Sequence, residues 1–170
     1  YWTYSPGANA SKWQLCLDEG IMCIGWDALG NLSQYSSRED MRAEVKKLYP
    51  TDGSAINDSL AVWQFSHEIK PGDIIFAKKG KTEILGRGVV ESDYVFDLDR
   101  AEFKHIRKIK WTHVGEWVTG DRHAVKTLTN ITPYTDYVER LNALVEGANT
   151  PLPKDSMDKR YWWLTGSPKY

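Results

Sequence analysis

The spacing of apolar positions changes near Lys70. Before it, apolar residues recur at helical intervals: Trp13, Cys16 and Leu17, then Met41, Val45 and Leu48, then Ile56, Leu60 and Trp63. The first set predicts a helix over Lys12 to Glu19, capped by Ser11 and stopped by Gly20. The second begins at Ser36, which stands at capping-box spacing from Glu39, and stops at Pro50. Thr51-Asp52-Gly53 is a turn, and the third helix covers about Ser54 to His67. Tyr1-Trp2-Thr3-Tyr4 reads as a short aromatic strand broken by Ser5-Pro6-Gly7, and Ile21-Met22-Cys23-Ile24 as a buried strand.

After Lys70 the pattern is that of strands. Lys70-Pro71-Gly72-Asp73 is a turn, Asp73 to Lys78 a strand, Lys79-Gly80-Lys81 a tight basic turn and Thr82 to Ser92 the returning strand. Gly86 and Gly88 within it predict a bulge or a close approach of another group to the backbone. Tyr94 to Asp97, Phe103 to Val114 and Thr127 to Ile131 are further strands, with Ile109 and Trp111 on one face of the second. Thr132 and Pro133 open a final helix, Tyr134 to Glu146, with Tyr137, Leu141 and Leu144 inward. The expected fold is α+β: a strongly bent mixed or antiparallel sheet closing toward a barrel, surrounded by helices.

A chain of 170 residues accommodates one domain, placed at residues 1–147. Residues 148–160 read as a linker. Tyr161-Trp162-Trp163-Leu164 in residues 161–170 echoes the opening Tyr1-Trp2-Thr3-Tyr4, either as the first strand of a second similar domain or as a tail packed on this one. A start on Tyr1 rather than Met is expected of a piece of a longer protein.

Composition adds aromatics. Eight Trp and nine Tyr supply rings with an apolar face and a polar edge, suited to cores and to flat ligands alike. The net charge of −1 excludes a uniformly basic surface, so a polyanion site has to come from local clustering. Residues 18–58 hold eight Asp/Glu against four Lys/Arg, whereas Lys104 to Thr112 holds four Lys/Arg and no acid. The two cysteines, Cys16 and Cys23, read as buried thiols, with a disulfide as the alternative. No secretory signal or membrane-spanning run is present, which leads us to expect a cytoplasmic protein, with the sequons at Asn9, Asn31, Asn57 and Asn130 compositional accidents.

Catalytic patterns are sparse. His67-Glu68 lacks the second histidine of a zinc helix, and His67, His105, His113 and His123 have no metal-ligand spacing. Asp93, Asp97 and Asp99 read as a solvated acidic loop, and no phosphate loop or nucleophile elbow is found. The expectation is a binding domain without enzymatic activity, cofactor or metal.

The richest stretch is Ile24-Gly25-Trp26-Asp27-Ala28-Leu29-Gly30-Asn31-Leu32-Ser33-Gln34. Trp26 offers a stacking face or a core ring; Asp27, Asn31, Ser33 and Gln34 offer donors and acceptors for a base edge. For Ser5, Asn31 and Ser33 the alternative is capping of their own turns. Trp63, at helical spacing from Leu60, suits a core as well as a pocket, and Tyr94 with Phe96 could line its mouth. Lys78, Lys79, Lys81 and Arg87 could hold phosphates or form a solvated hairpin tip. Arg107, Lys108 and Lys110 alternate along a strand, so at most half share a face.

Three segments, in order, resemble EVE domains of the PUA-like group. Tyr1-Trp2-Thr3-Tyr4-Ser5-Pro6 is similar to their opening strand and loop, and Trp26-Asp27-Ala28-Leu29-Gly30-Asn31 to their Trp-Asp-Gly-Val-Arg-Asn segment. Ile69-Lys70-Pro71-Gly72-Asp73-Ile74-Ile75-Phe76, with Ile84-Leu85-Gly86-Arg87-Gly88-Val89-Val90, resembles their Met-Lys-x-Gly-Asp and Gly-Ile-Gly-x-Val strands. The resemblance covers about Tyr1 to Asp97 and is greatest to the EVE-like modules fused ahead of the GTPase in McrB-type restriction proteins. Leu29 and Gly30 stand where the family has Val-Arg, and the two helices between Ser36 and His67 are an insertion.

That resemblance implies recognition of double-stranded DNA carrying a modified base, methyladenine or methylcytosine among the candidates, by base flipping. The implied partners are the rest of its own polypeptide, including a GTPase domain, and a nuclease subunit; no membrane is involved. The expected pocket is formed by Trp26, Ser5, Pro6, Gly7, Asp27, Asn31, Leu32, Ser33, Trp63 and Tyr94. The DNA backbone would lie on Lys78, Lys79, Lys81, Arg87, Lys104, Arg107, Lys108 and Lys110, with the acidic helices pointing away. The alternatives are an RNA-binding PUA-like domain and a protein-interaction module with an aromatic groove.

Overall fold

The structure, a computed structural model, describes residues 1–49, 55–119 and 126–147, with residues 55–57 and 147 described by backbone alone. The expected stop at Pro50, the turn at Thr51-Asp52-Gly53, His123, the linker and the tail lie outside the described residues. In chain order the elements are β1 (Trp2–Tyr4), α1 (Trp13–Glu19), β2 (Ile21–Ile24), α2 (Arg38–Leu48), α3 (Ala55–Trp63) and β3 (Ile74–Lys79). Then come β4 (Glu83–Val90), β5 (Val95–Phe96), β6 (His105–Val118), β7 (Leu128–Asn130) and α4 (Thr135–Gly147).

The strands form one mixed sheet in the order β2-β6-β4-β3-β1-β7, with β5 added on β6. β1 runs parallel to β3, and the other pairs are antiparallel. β2 and β5 both pair with His105 and Ile106, so they lie on opposite edges of β6. The sheet curls into a half-barrel, and the class is α+β. Alternation along β3 serves both faces. Ile75 enters the main core, while Phe76 joins Ile84, Ile131, Val138, Leu141 and Val145 under α4.

Gly86 and Gly88 mark a close approach. A Cβ on Gly86 would stand 2.7 Å from the Trp13 ring and 2.8 Å from the His113 carbonyl. The absent side chain therefore admits Trp13 of α1 onto the sheet, edge-on to Trp111 with ring centroids 4.8 Å apart. The register of β4 against β6 shifts between Ile84 and Gly86 and again between Arg87 and Gly88. Trp111 Nε1 donates to the carbonyls of Cys16 and Ile21, fixing α1 and β2 to β6.

The half-barrel is joined across its interior by Tyr4. Its ring is fully buried, and its hydroxyl accepts from Cys23 N–H at 2.9 Å and donates to the Cys23 carbonyl. This ties β1 to β2, strands that are not neighbours in the sheet. The Cys16 and Cys23 sulfurs stand 3.9 Å apart beside it as free, buried thiols.

Three terminus assignments shift. Ser11 does not cap α1; the residue before the helix is Lys12, without a side-chain bond. The cap of α2 is Ser37, which accepts from Asp40 N–H, while Ser36 donates to the Asp40 carboxylate. The capping box is thus displaced by one residue, because Asp40 rather than Glu39 occupies the third helical position. Thr132 is drawn instead to the chain start, where its hydroxyl accepts from the Tyr1 amine, and α4 begins at Thr135.

Replacing Tyr4 by Phe leaves both backbone groups of Cys23 without that partner in a sealed interior. The expected loss is about 2–6 kcal/mol, from about 1–3 kcal/mol for each of the two unsatisfied buried groups. Urea unfolding checks it: the midpoint should fall with little change in slope.

Candidate functional site

Loops from both ends of the sheet enclose a cleft of about 570 Å³. Ser5, Gly7 and Asn9 follow β1; Cys23 and Ile24 end β2, and Gly25 and Trp26 follow it; Tyr49 follows α2; Lys78 lies near the end of β3, and Gly80 and Lys81 lie in the β3–β4 turn. Phe103, ahead of β6, and Lys126 with Thr127, ahead of β7, also line it. Its described lining holds the rings of Trp26, Tyr49 and Phe103, the three lysines Lys78, Lys81 and Lys126, and no carboxylate. Such a cavity suits a flat ligand that carries negative charge.

The walls are built on unusual backbone. Among the described residues, the non-glycine positions with positive φ are Asn9, Ala10, Trp26 and Phe103. Three of these four line the cleft, and Ala10 adjoins Asn9. Left-handed backbone at such residues costs about 1–3 kcal/mol each and persists only where surrounding contacts over-determine it. Those contacts are visible. The Asp27 carboxylate accepts from Phe103 N–H at 3.0 Å and from Lys104 N–H at 2.9 Å. His105 Nε2 lies 3.0 Å from the Trp26 carbonyl and its Nδ1 2.7 Å from the Tyr94 hydroxyl, which accepts from Leu32 N–H.

One proton arrangement satisfies that chain. Leu32 N–H donates to Tyr94, the Tyr94 hydroxyl to His105 Nδ1, and His105 Nε2–H to the Trp26 carbonyl, so the imidazole is neutral. Burial pushes the His105 pKa down, against the opposing pull of the Trp26 carbonyl and the Asp27 charge. Burial pushes the Tyr94 phenol up to about 12. Trp26 meanwhile gives its side-chain hydrogen bond to Asp58, whose carboxyl is raised by burial and lowered by that bond. The indole therefore presents ring surface to the cleft rather than a donor.

The expected pocket residues divide into three groups. Ser5, Gly7 and Trp26 line the cleft. Asp27 and Tyr94 support it from behind through the bonds just described. Asn31, Leu32, Ser33 and Trp63 are not among its lining residues. The Asn31 side chain accepts from Ser33 N–H and Ser33 Oγ, capping its own turn, and Leu32 is buried. Trp63 stacks on His67 at 3.9 Å. Pro6 is buried, its carbonyl accepting from Lys12 N–H.

The expected phosphate contacts divide as well. Lys78 lines the cleft and Lys81 its rim, while Lys79 is exposed on the same turn. Lys78 is only 3% exposed, and burial lowers its pKa. Arg87 lies over the Phe76 ring and 3.7 Å from Glu146 of α4, on the other face of the sheet. Arg107 is 2% exposed and donates to the carbonyls of Phe65, Ser66 and Ser92, so it is an internal tether rather than a surface cation. Lys104 is half-buried, and Lys108 and Lys110 are exposed on β6. The sequence reading passed over Asn9, Tyr49, Phe103, Lys126 and Thr127, which reach the cleft from separate loops. Among the described residues no three His, Cys, Asp or Glu side chains converge as a metal site. No described helix is long and apolar enough to cross a membrane.

A family model for a domain of unknown function, DUF8426, matches residues 2–135. The match runs from β1 to the first residue of α4 and includes every cleft residue named above, and the chain belongs to this family. Comparison with curated proteins gives no match.

The neutral state of His105 sets a pH dependence. Its folded pKa lies below the ordinary 6.5, so the unfolded chain takes up the proton first as pH falls, and stability is lost below that value. His67 and His113 are also lowered and act in the same sense. Thermal unfolding between about pH 7.5 and 5.5 should show a falling midpoint, with a shallower fall in His105→Gln.

Proposed function

We propose that this DUF8426 member reads modified DNA. A base flipped from the duplex enters the cleft between Trp26, Tyr49 and Phe103, and the lysines at its floor and rim hold the adjoining phosphates. The observation that carries this reading is the pairing of three rings with three lysines and no carboxylate in the described wall of one cleft. Stacking returns about 1–3 kcal/mol per base, which offsets an unstacking cost of a few kcal/mol. A methyl group adds apolar, polarisable surface, so an aromatic site favours the modified base over the plain one.

The curled mixed sheet and its helices are compatible with the PUA-like fold implied by the EVE resemblance. In this reading the domain is non-catalytic. It supplies specificity to a cytoplasmic modification-dependent restriction system, whose GTPase and nuclease lie in other parts of the assembly.

The test is a binding panel at one ionic strength: duplexes with N6-methyladenine, 5-methylcytosine, 5-hydroxymethylcytosine or no modification, plus a structured RNA. One modified duplex should bind tightest. Equal affinity for all four duplexes overturns the reading, and preference for the RNA replaces it with an RNA-binding one. Lys81→Ala should weaken every duplex alike and reduce the slope of log affinity against log salt by about 0.9. Trp26→Leu should erase the discrimination between modified and plain DNA.

A further inference from the structure

A second cavity, of about 720 Å³, shares the lining residue Lys126 with the cleft. It lies between β7 and the start of α4 and is bordered by Thr129, Tyr134, Asp136 and Arg140. Lys126 borders both cavities.

We propose that the second cavity holds the nucleotide next to the flipped one, so that the domain grips a step of two nucleotides rather than a single base. This rests on the base-reading function proposed above. Removing a base from a duplex strips its neighbour of a stacking partner on one face. An aromatic ring beside the cleft can replace that partner, and base–aromatic stacking tolerates any sequence. Tyr134 is such a ring: it is 61% exposed and borders the cavity.

The polar groups fit the same occupant. Lys126, shared by the two cavities, is placed for the phosphate that links the two nucleotides. Arg140 presents a planar guanidinium above the Tyr137 ring at 5.9 Å, a geometry that also suits stacking against a base. Asp136 is the carboxylate among the described residues of this wall, and it favours a base edge bearing amino donors over a second phosphate.

The test uses the full chain and two kinds of probe at one ionic strength. The first is a nucleoside 5′-monophosphate, either N6-methyl-2′-deoxyadenosine or 5-methyl-2′-deoxycytidine. The second is the trinucleotide with that base at its centre. Wild type should bind the trinucleotide at least about fivefold more tightly than the monophosphate, the smallest gain expected from one stacking contact. Tyr134→Ala and Arg140→Gln should remove most of that advantage and leave monophosphate binding unchanged. If both probes bind and neither variant changes their ratio, the second subsite is refuted while the base-reading function stands. If wild type binds neither probe, the base-reading function fails and the subsite fails with it.

Discussion

The Tyr4 hydroxyl holds together two parts of the sheet that strand pairing leaves apart. β1 lies beside β3 and β7, and β2 lies at the far edge on β6. A phenol that both accepts from and donates to the backbone of Cys23 supplies the missing link from inside the barrel. The cleft depends on that link. Ser5 to Asn9 continue from β1, and Ile24 to Trp26 continue from β2, so the distance between two of its walls follows from one buried hydroxyl. Burial raises the Tyr4 pKa further, which keeps the phenol protonated and able to donate.

The cleft itself is preorganised rather than soft. Asp27 fixes the backbone of Phe103, and His105 fixes that of Trp26, while neither side chain needs to touch a ligand. Two aromatic walls are thus set by groups behind them. Lys78 adds a cation drawn largely out of water at the end of β3, where the register against β4 shifts between Ala77 and Lys78. A ligand entering this space meets rings and charge already in place, so little ordering entropy opposes binding.

Much of the fold was legible because the chain announces its period. The helical triplets ending in Leu17, Leu48 and Trp63 and the strands after Lys70 all formed near their expected places. Gly86 was legible as a close approach, though its visitor, Trp13, was not, since nothing local pairs them. The π-helical turn Gln64–Glu68 was not legible either, because Arg107, far along the chain, satisfies carbonyls it leaves open. For the site, Trp26 and the lysine turn stood out as an aromatic and a charge cluster. Asn31 and Ser33 misled because the side chains that read base edges also cap turns. Phe103 and Tyr49 look like ordinary core residues until the loops are assembled.

Arg107 also bears on how modular this domain is. The α2–α3 segment lies within the family match and is joined to the sheet. A guanidinium from the central strand β6 reaches the turn that follows α3, donating to Phe65 and Ser66 as well as to Ser92. The segment cannot be trimmed away without stranding a buried positive charge. Whatever its origin, it has become part of the foundation, and a shortened version of this domain would need a new residue at position 107 before it needed a new loop.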